Sequence, residues 1–259
     1  MLRFYGVIIF SIPLILYYIL TANYYCSHED KYDEYARYGL VLRIINSLKK
    51  RGRIRTITFN KDKLPKEGGY IMYSNHQGKY DALGIMYAHE TPCSVVMDME
   101  RSKVLLTNQV INLVNGKRLE RNNIKQQVGE LNKLSEEVKA GRRYIYFPEG
   151  KYDHNGNHLQ EFRAGAFKCA KQVKAPIVPV AIYDSHLPFD FNSLRKVITQ
   201  VCFLDPIYYE EYSDKTTKEI SEIVKQRIEA QLAVLEENRA KNGFNKKFYE
   251  YRHSDDVAV

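Results

Sequence analysis

His76 and Asp81 stand five residues apart in the run Asn75-His76-Gln77-Gly78-Lys79-Tyr80-Asp81, directly after an apolar stretch at residues 70–73. A histidine that takes a proton from an alcohol needs a fixed tautomer, and an aspartate accepting from its other ring nitrogen supplies one. If the chain leaves a strand at Asn75 and Asp81 falls in the first turns of a helix, a reversal at Gln77-Gly78 brings the two side chains within reach. Gly78 makes that reversal easy. The pair therefore predicts a general base, His76, oriented by Asp81. No residue has the setting of an acyl-accepting nucleophile: Ser74 precedes the pair without a nucleophile elbow. The chemistry this suggests is direct attack by a substrate hydroxyl.

Three further blocks follow: Gly116-Lys117-Arg118-Leu119-Glu120-Arg121, Phe147-Pro148-Glu149-Gly150 and Val178-Pro179-Val180-Ala181-Ile182. Four blocks in this order resemble the glycerolipid acyltransferases, specifically the bacterial 1-acyl-sn-glycerol-3-phosphate acyltransferase family, over residues 54–205. The resemblance implies a glycerol-3-phosphate acyltransferase-like α/β fold. It also implies transfer of a fatty acyl group from an acyl-CoA or acyl carrier protein thioester to the sn-2 hydroxyl of 1-acyl-sn-glycerol 3-phosphate, with no metal or other cofactor. Arg121 matches the family's arginine for the acceptor phosphate, a task suited to the bidentate fork of a guanidinium. Glu149 matches a glutamate of the acceptor site.

Asn75, Arg118, Gly150 and Lys151 complete the candidate substrate-binding set. Gly150, at a strand end, is positioned to offer its backbone N–H to a tetrahedral oxyanion. Lys117 reads as solvated. Three positions depart from the family pattern: Lys151 replaces its Thr or Ser, Arg118-Leu119-Glu120 replaces an apolar pair and Asp before Arg121, and Val96-Met97-Asp98-Met99-Glu100 offers no counterpart to a lysine common there. These departures leave open another lysophospholipid or alcohol as acceptor. A non-catalytic, membrane-anchored protein holding an anionic lipid is a third reading, opposed by the presence of both His76 and Asp81, since binding alone needs no base.

The chain has 259 residues, enough for one α/β unit with a full core. Its 39 Lys+Arg against 31 Asp+Glu leave a net charge of +8, which suits lipid head groups, CoA or an acidic carrier protein. No stretch interleaves basic and aromatic residues as nucleic-acid modules do, so nucleic acid is not an expected partner. Oligomeric state is not readable. Cys26, Cys93, Cys169 and Cys202 are widely spaced, which argues against a zinc site or disulfide framework and for free thiols in a reducing compartment. Arg163, Lys168, Lys171 and Lys174 form a basic region that suits an acidic carrier protein or simply faces water.

These residues must be positioned by a mixed sheet covered by helices, preceded by an N-terminal membrane-associated helical hairpin. Residues 4–27 carry no charge and as a helix would reach about 36 Å, with Pro13 suggesting a kink in the middle. Basic residues from Lys49 onward outnumber Arg3, so the catalytic part is expected on the cytoplasmic face of the membrane. Residues 33–50 read as an amphipathic helix that lies on the membrane, packs on the catalytic domain, or does both. Strands are expected at Ile54–Phe59, Tyr70–Ser74, 94–97, 144–147, Ile177–Tyr183 and 197–204, and helices at Asp81–His89, 123–140, 162–173 and 217–238. Residues 104–114 are a mixed apolar run. In the 123–140 helix, Ile124, Val128, Leu131, Leu134 and Val138 are expected on the buried face. Three regions result: anchoring helices at 1–50, an acyltransferase domain at 51–240, and a polar, frayed tail at 241–259.

Overall fold

The computed structural model describes Ile9, residues 11–190 and residues 194–249. Within them, Ile54–Phe59 (β1), Tyr70–Ser74 (β2), Ser94–Asp98 (β3), Lys117–Leu119 (β4), Arg143–Tyr146 (β5), Ile177–Tyr183 (β6) and Val197–Phe203 (β7) build one sheet in the order β1-β7-β6-β2-β5-β3-β4. β6, β2, β5, β3 and β4 run parallel, while β7 is antiparallel to β6 and parallel to β1. The carboxyl ends of five strands therefore share one edge of the sheet, the edge at which open α/β sheets place their ligands. The helices are Ile12–Ser27 (α1), Glu34–Gly52 (α2), Asp81–His89 (α3), Met99–Ser102 (α4), Thr107–Leu113 (α5), Ile124–Lys139 (α6), Lys168–Val173 (α7), Leu187–Asp190 (α8), Tyr209–Tyr212 (α9) and Thr217–Lys241 (α10).

A parallel strand covered on both faces must be apolar throughout, and every residue of β2 is buried. Its side chains alternate. Tyr70 and Met72 join a core with Tyr38, Val41 and Ile45 of α2 and Ile85 of α3, whereas Ile71 and Tyr73 join the opposite core with Leu134 of α6, Phe167, and Val224 and Ile228 of α10. The result is three layers, helix on sheet on helix, with the His76 segment leaving the middle of the central layer.

The amphipathic helix is present as expected, capped by Asp33, whose side chain accepts from Ala36 N at 2.8 Å, and of the placements expected for it the core takes up its apolar face. It packs on the catalytic domain. Several expectations need correction. Pro13 lies in the first turn of α1, not at a kink in its middle, because a missing N–H is harmless there. The 16 described residues of α1 reach about 24 Å, less than the ~30 Å hydrocarbon core. Among the described residues no helix is long and apolar enough to cross a membrane. The expected start of that segment, at residues 4–8 and 10, lies outside them.

Ile124 and Val128 of α6 are 78% and 51% exposed, since the helix starts beside β4, the last strand, with none beyond to cover them. The 162–173 segment is a 3-10 turn, Ala164–Phe167, running into α7. The tail is docked rather than frayed over residues 242–249: Asn245 and Phe248 are buried, and the Asn245 side chain accepts from Ile198 N at 2.9 Å and donates to Ile198 O at 2.7 Å. Residues 250–259 lie outside the described residues. All four cysteines are free thiols.

Candidate active site

The loop after β2 is held from both sides. Asn75 continues the β2–β6 ladder with its side chain, donating to Ile182 O at 3.0 Å and accepting from Ile182 N at 2.9 Å. The chain then reverses through Gln77-Gly78, and α3 begins at Asp81. Asp81 is buried, and its Oδ2 gathers three donors: His76 Nδ1 at 2.7 Å, Gln77 N at 2.5 Å and Gly78 N at 2.8 Å. A carboxylate only accepts, so the proton of the His76 ring sits on Nδ1 and the Nε2 lone pair is left for chemistry. No described residue hydrogen-bonds Nε2. The imidazole stacks on Phe147 at 4.4 Å and meets the edge of Tyr152 at 4.8 Å, leaving the side chain 18% exposed. The expected base and its orienting partner are thus brought together and aimed.

Glu149 lies beneath this pair rather than in an open cleft. Only 4% exposed, it accepts from His76 N at 3.1 Å through one oxygen and from Gln160 Nε2 at 2.8 Å through the other. Burial pushes its carboxyl up to about 7 against those hydrogen bonds. Gly150 has φ +75 and donates its N–H to Phe147 O at 3.1 Å, so that N–H is occupied by the turn and does not face an oxyanion. A Cβ at Gly150 would lie 2.8 Å from Arg163 Cζ, so glycine is what lets this guanidinium rest on the turn.

The cations sort themselves. Arg118 spends its donors on Ser102 Oγ at 3.0 Å, Asn108 Oδ1 at 3.0 Å and Asn112 Oδ1 at 2.7 Å, which fastens β4 to α4 and α5. Lys117 is buried and pairs with Glu137, not solvated as expected. Lys151 pairs with Asp153 at 2.8 Å. Arg121 is 63% exposed, with Nε 3.7 Å from Asp98 Oδ2. In the basic region, Lys171 is bonded to Lys215 O and Lys174 lies over the Tyr209 ring at 5.2 Å, so these two are engaged within the fold.

Residues with no motif to announce them also belong here. Arg101 places its guanidinium 4.9 Å from the Tyr152 ring centroid, and Tyr152 in turn touches His76. Asp98 joins the two exposed arginines, its Oδ1 accepting from Arg101 N at 3.0 Å and its Oδ2 facing Arg121. The available signal was positional: Asp98 ends β3, Arg101 follows it in α4, Arg121 follows β4, and both strands end on the edge where His76 sits. A separate cleft of about 760 Å³, lined by Lys63, Asp205, Tyr208 and Arg227, opens beyond the ends of β1 and β7, at the opposite edge. Among the described residues, no three His, Cys, Asp or Glu side chains group as a metal centre requires.

Residues 56–183, which span the dyad, Arg121 and Glu149, match the model of a family described as Acyltransferase. The chain belongs to the acyltransferases. The acyltransferase is 26% identical to the 1-acyl-sn-glycerol-3-phosphate acyltransferase of Escherichia coli over 174 residues, 67% of this chain and 71% of that protein. It is likewise 26% identical over 201 residues to the probable 1-acyl-sn-glycerol-3-phosphate acyltransferase of Mycoplasma genitalium, covering 73% and 74%. Its fold is similar to the crystal structure of the 1-acyl-sn-glycerophosphate acyltransferase of Thermotoga maritima, with a TM-score of 0.67 at 18% identity, over 89% of this chain and 98% of that one. The fold and the family together make the chain an O-acyltransferase.

Proposed function

We propose that this acyltransferase moves a fatty acyl group from an acyl-CoA or acyl carrier protein thioester to the sn-2 hydroxyl of 1-acyl-sn-glycerol 3-phosphate, making phosphatidic acid for phospholipid synthesis. The observation that carries the reading is the His76–Asp81 pair with a free Nε2, set beside two exposed arginines, Arg101 and Arg121, on one sheet edge. As the acceptor hydroxyl attacks the thioester carbonyl, His76 Nε2 takes its proton; the C–O bond forms, the C–S bond breaks, and the proton passes to the departing thiolate. Arg121 and Arg101 meet the acceptor phosphate. A binding-only reading leaves the dyad without a role. A different acceptor is favoured by one observation: Lys151 and Arg118 already have partners, which leaves fewer cations for a phosphomonoester.

The membrane enters this proposal through α1. Ile12, Leu16, Tyr17, Leu20 and Tyr24 follow one another at helical spacing and are 45–70% exposed, whereas Tyr18 and Ala22 face inward. A contiguous apolar stripe on a helix marks a membrane or partner surface. The enzyme rests this stripe on the cytoplasmic leaflet, where its acyl substrates reside.

The test is a transfer assay with acyl-CoA and acyl carrier protein against a panel of lysophospholipids and alcohols, with products followed by mass spectrometry. Phosphatidic acid from lysophosphatidate is the expected product. Loss of one charge-assisted contact in Arg121→Ala lowers kcat/KM for this acceptor by about 10- to 150-fold, and far less for an acceptor lacking the phosphate. Equal losses on both acceptors place Arg121 outside the acceptor site, and turnover confined to uncharged alcohols overturns the phosphate assignment.

A further inference from the structure

The family match ends at Tyr183, yet hydrogen bonds from beyond it run back to the base. Asp184 follows β6 on the same sheet edge as His76, fully buried and held at φ +60, a left-handed conformation that aspartate adopts more readily than most side chains. The C-terminal segment surrounds its carboxylate. Asn245 Nδ2 donates to Asp184 Oδ2 at 2.6 Å, the Tyr249 hydroxyl donates to Oδ1, and the Arg239 guanidinium lies 4.0 Å over the Tyr249 ring. Phe248 packs with Leu187 and Val197, which fixes the approach of this segment.

From Asp184 the chain of bonds leads inward. Asn157 donates to Asp184 Oδ1 and to the Tyr249 hydroxyl, each at 3.0 Å, while its own Oδ1 accepts from Asp184 N at 2.8 Å and from Gln77 Nε2 at 2.9 Å. Gln77 is the residue after the base. Its Oε1 accepts from Ser185 N at 2.8 Å, and its backbone N–H is one of the three donors on Asp81 Oδ2. Asn157 also sits in the loop that sets Tyr152 against the His76 ring and Gln160 on Glu149.

We propose that residues 242–249 are a working part of the active site: Tyr249 and Asn245 fix the Asp184 carboxylate, which through Asn157 and Gln77 holds both the His76 loop and the loop covering it. Tyr249, Asn245, Asp184 and Asn157 are positioning residues. This rests on His76 being the base of the acyl transfer proposed above. A segment that merely finished the fold would need no bond to Asn157, since Asn245 and Phe248 already secure it to β7.

The test uses the full chain with Tyr249→Phe, Asn157→Ala and the double variant, comparing transfer kinetics and amide hydrogen exchange. Losing one buried hydrogen bond in the network lowers kcat by about 10-fold in each single variant, with KM for the acceptor unchanged. The double variant falls no further than the worse single one, because both cut the same connection. In Tyr249→Phe, exchange quickens at residues 76–81 and 151–163 while β7 and α10 keep their protection. Unchanged kcat, additive losses, or faster exchange confined to residues 242–249 overturns the proposal. Should the wild type transfer no acyl group to any acceptor, the function fails, and the exchange pattern still decides whether the tail holds these loops.

Discussion

At the scale of single residues, the site is built by giving each polar side chain a narrow task. Asp81 holds the imidazole, Glu149 the backbone beneath it, and Asn75 the junction with β6. Glu149 makes this measurable. In the folded protein its carboxyl titrates at about 7, pushed up by burial, against about 4.3 in the unfolded chain. Between these values the native state carries the extra proton, so this residue's contribution makes stability fall as pH rises through the window, by up to about 1.4 kcal/mol per pH unit. Glu149→Gln removes this titration, along with one of the two accepting oxygens, so its unfolding free energy relative to the wild type is expected to rise between about pH 4.5 and pH 7. Urea titrations at several pH values check this, and parallel stability curves for the two proteins would refute it. His76 and Asp81 were legible in the sequence because their geometry is local, one reversal between a strand and a helix. The burial of Glu149 and the commitment of Arg118 to Asn108 and Asn112 were not, since each depends on how separate elements meet, and the occupied N–H of Gly150 was not, since it depends on the turn type that residues 147–150 adopt.

At the scale of elements, periodicity located most helices and strands but not which turns the fold would cover. α6 shows the difference. Its apolar positions repeat at helical spacing along the whole length, yet only the half over the sheet is buried: Leu134 is fully enclosed, whereas Ile124 is 78% exposed. Leu134→Ala is expected to cost about 2–5 kcal/mol through lost burial and the cavity left behind, and Ile124→Ala no more than about 0.5 kcal/mol. Chemical denaturation of the two variants compares them directly; similar losses would mean that both ends of α6 face a core. β4 escaped notice because three residues, Lys117–Leu119, carry no alternation to read. The docking of residues 242–249 escaped because its bonds are polar, from Asn245 and Tyr249 to Asp184, and polar sequence at a terminus reads as a frayed end.

At the scale of the whole molecule, the strand order and the reversed β7 are global facts that no local pattern encodes, and they explain why motifs spread over more than a hundred residues meet on one edge. The same scale governs the membrane. The outer stripe of α1 is separate from the core, so Leu16→Lys with Leu20→Lys should leave the fold intact while weakening binding to anionic vesicles at least about 10-fold, each leucine losing roughly 1.5–3 kcal/mol of burial in lipid. Vesicle co-sedimentation at high salt measures it, and wild-type sedimentation of the double variant would move the contact elsewhere. The central claim, that the His76–Asp81 pair draws the proton from an acceptor hydroxyl during acyl transfer, is tested most directly by single-turnover transfer from acyl-CoA to lysophosphatidate in the wild type and in His76→Ala. The rate constant is expected to fall by about 10² or more with acceptor affinity nearly unchanged; a His76→Ala enzyme that transfers the acyl group at the wild-type rate would contradict it.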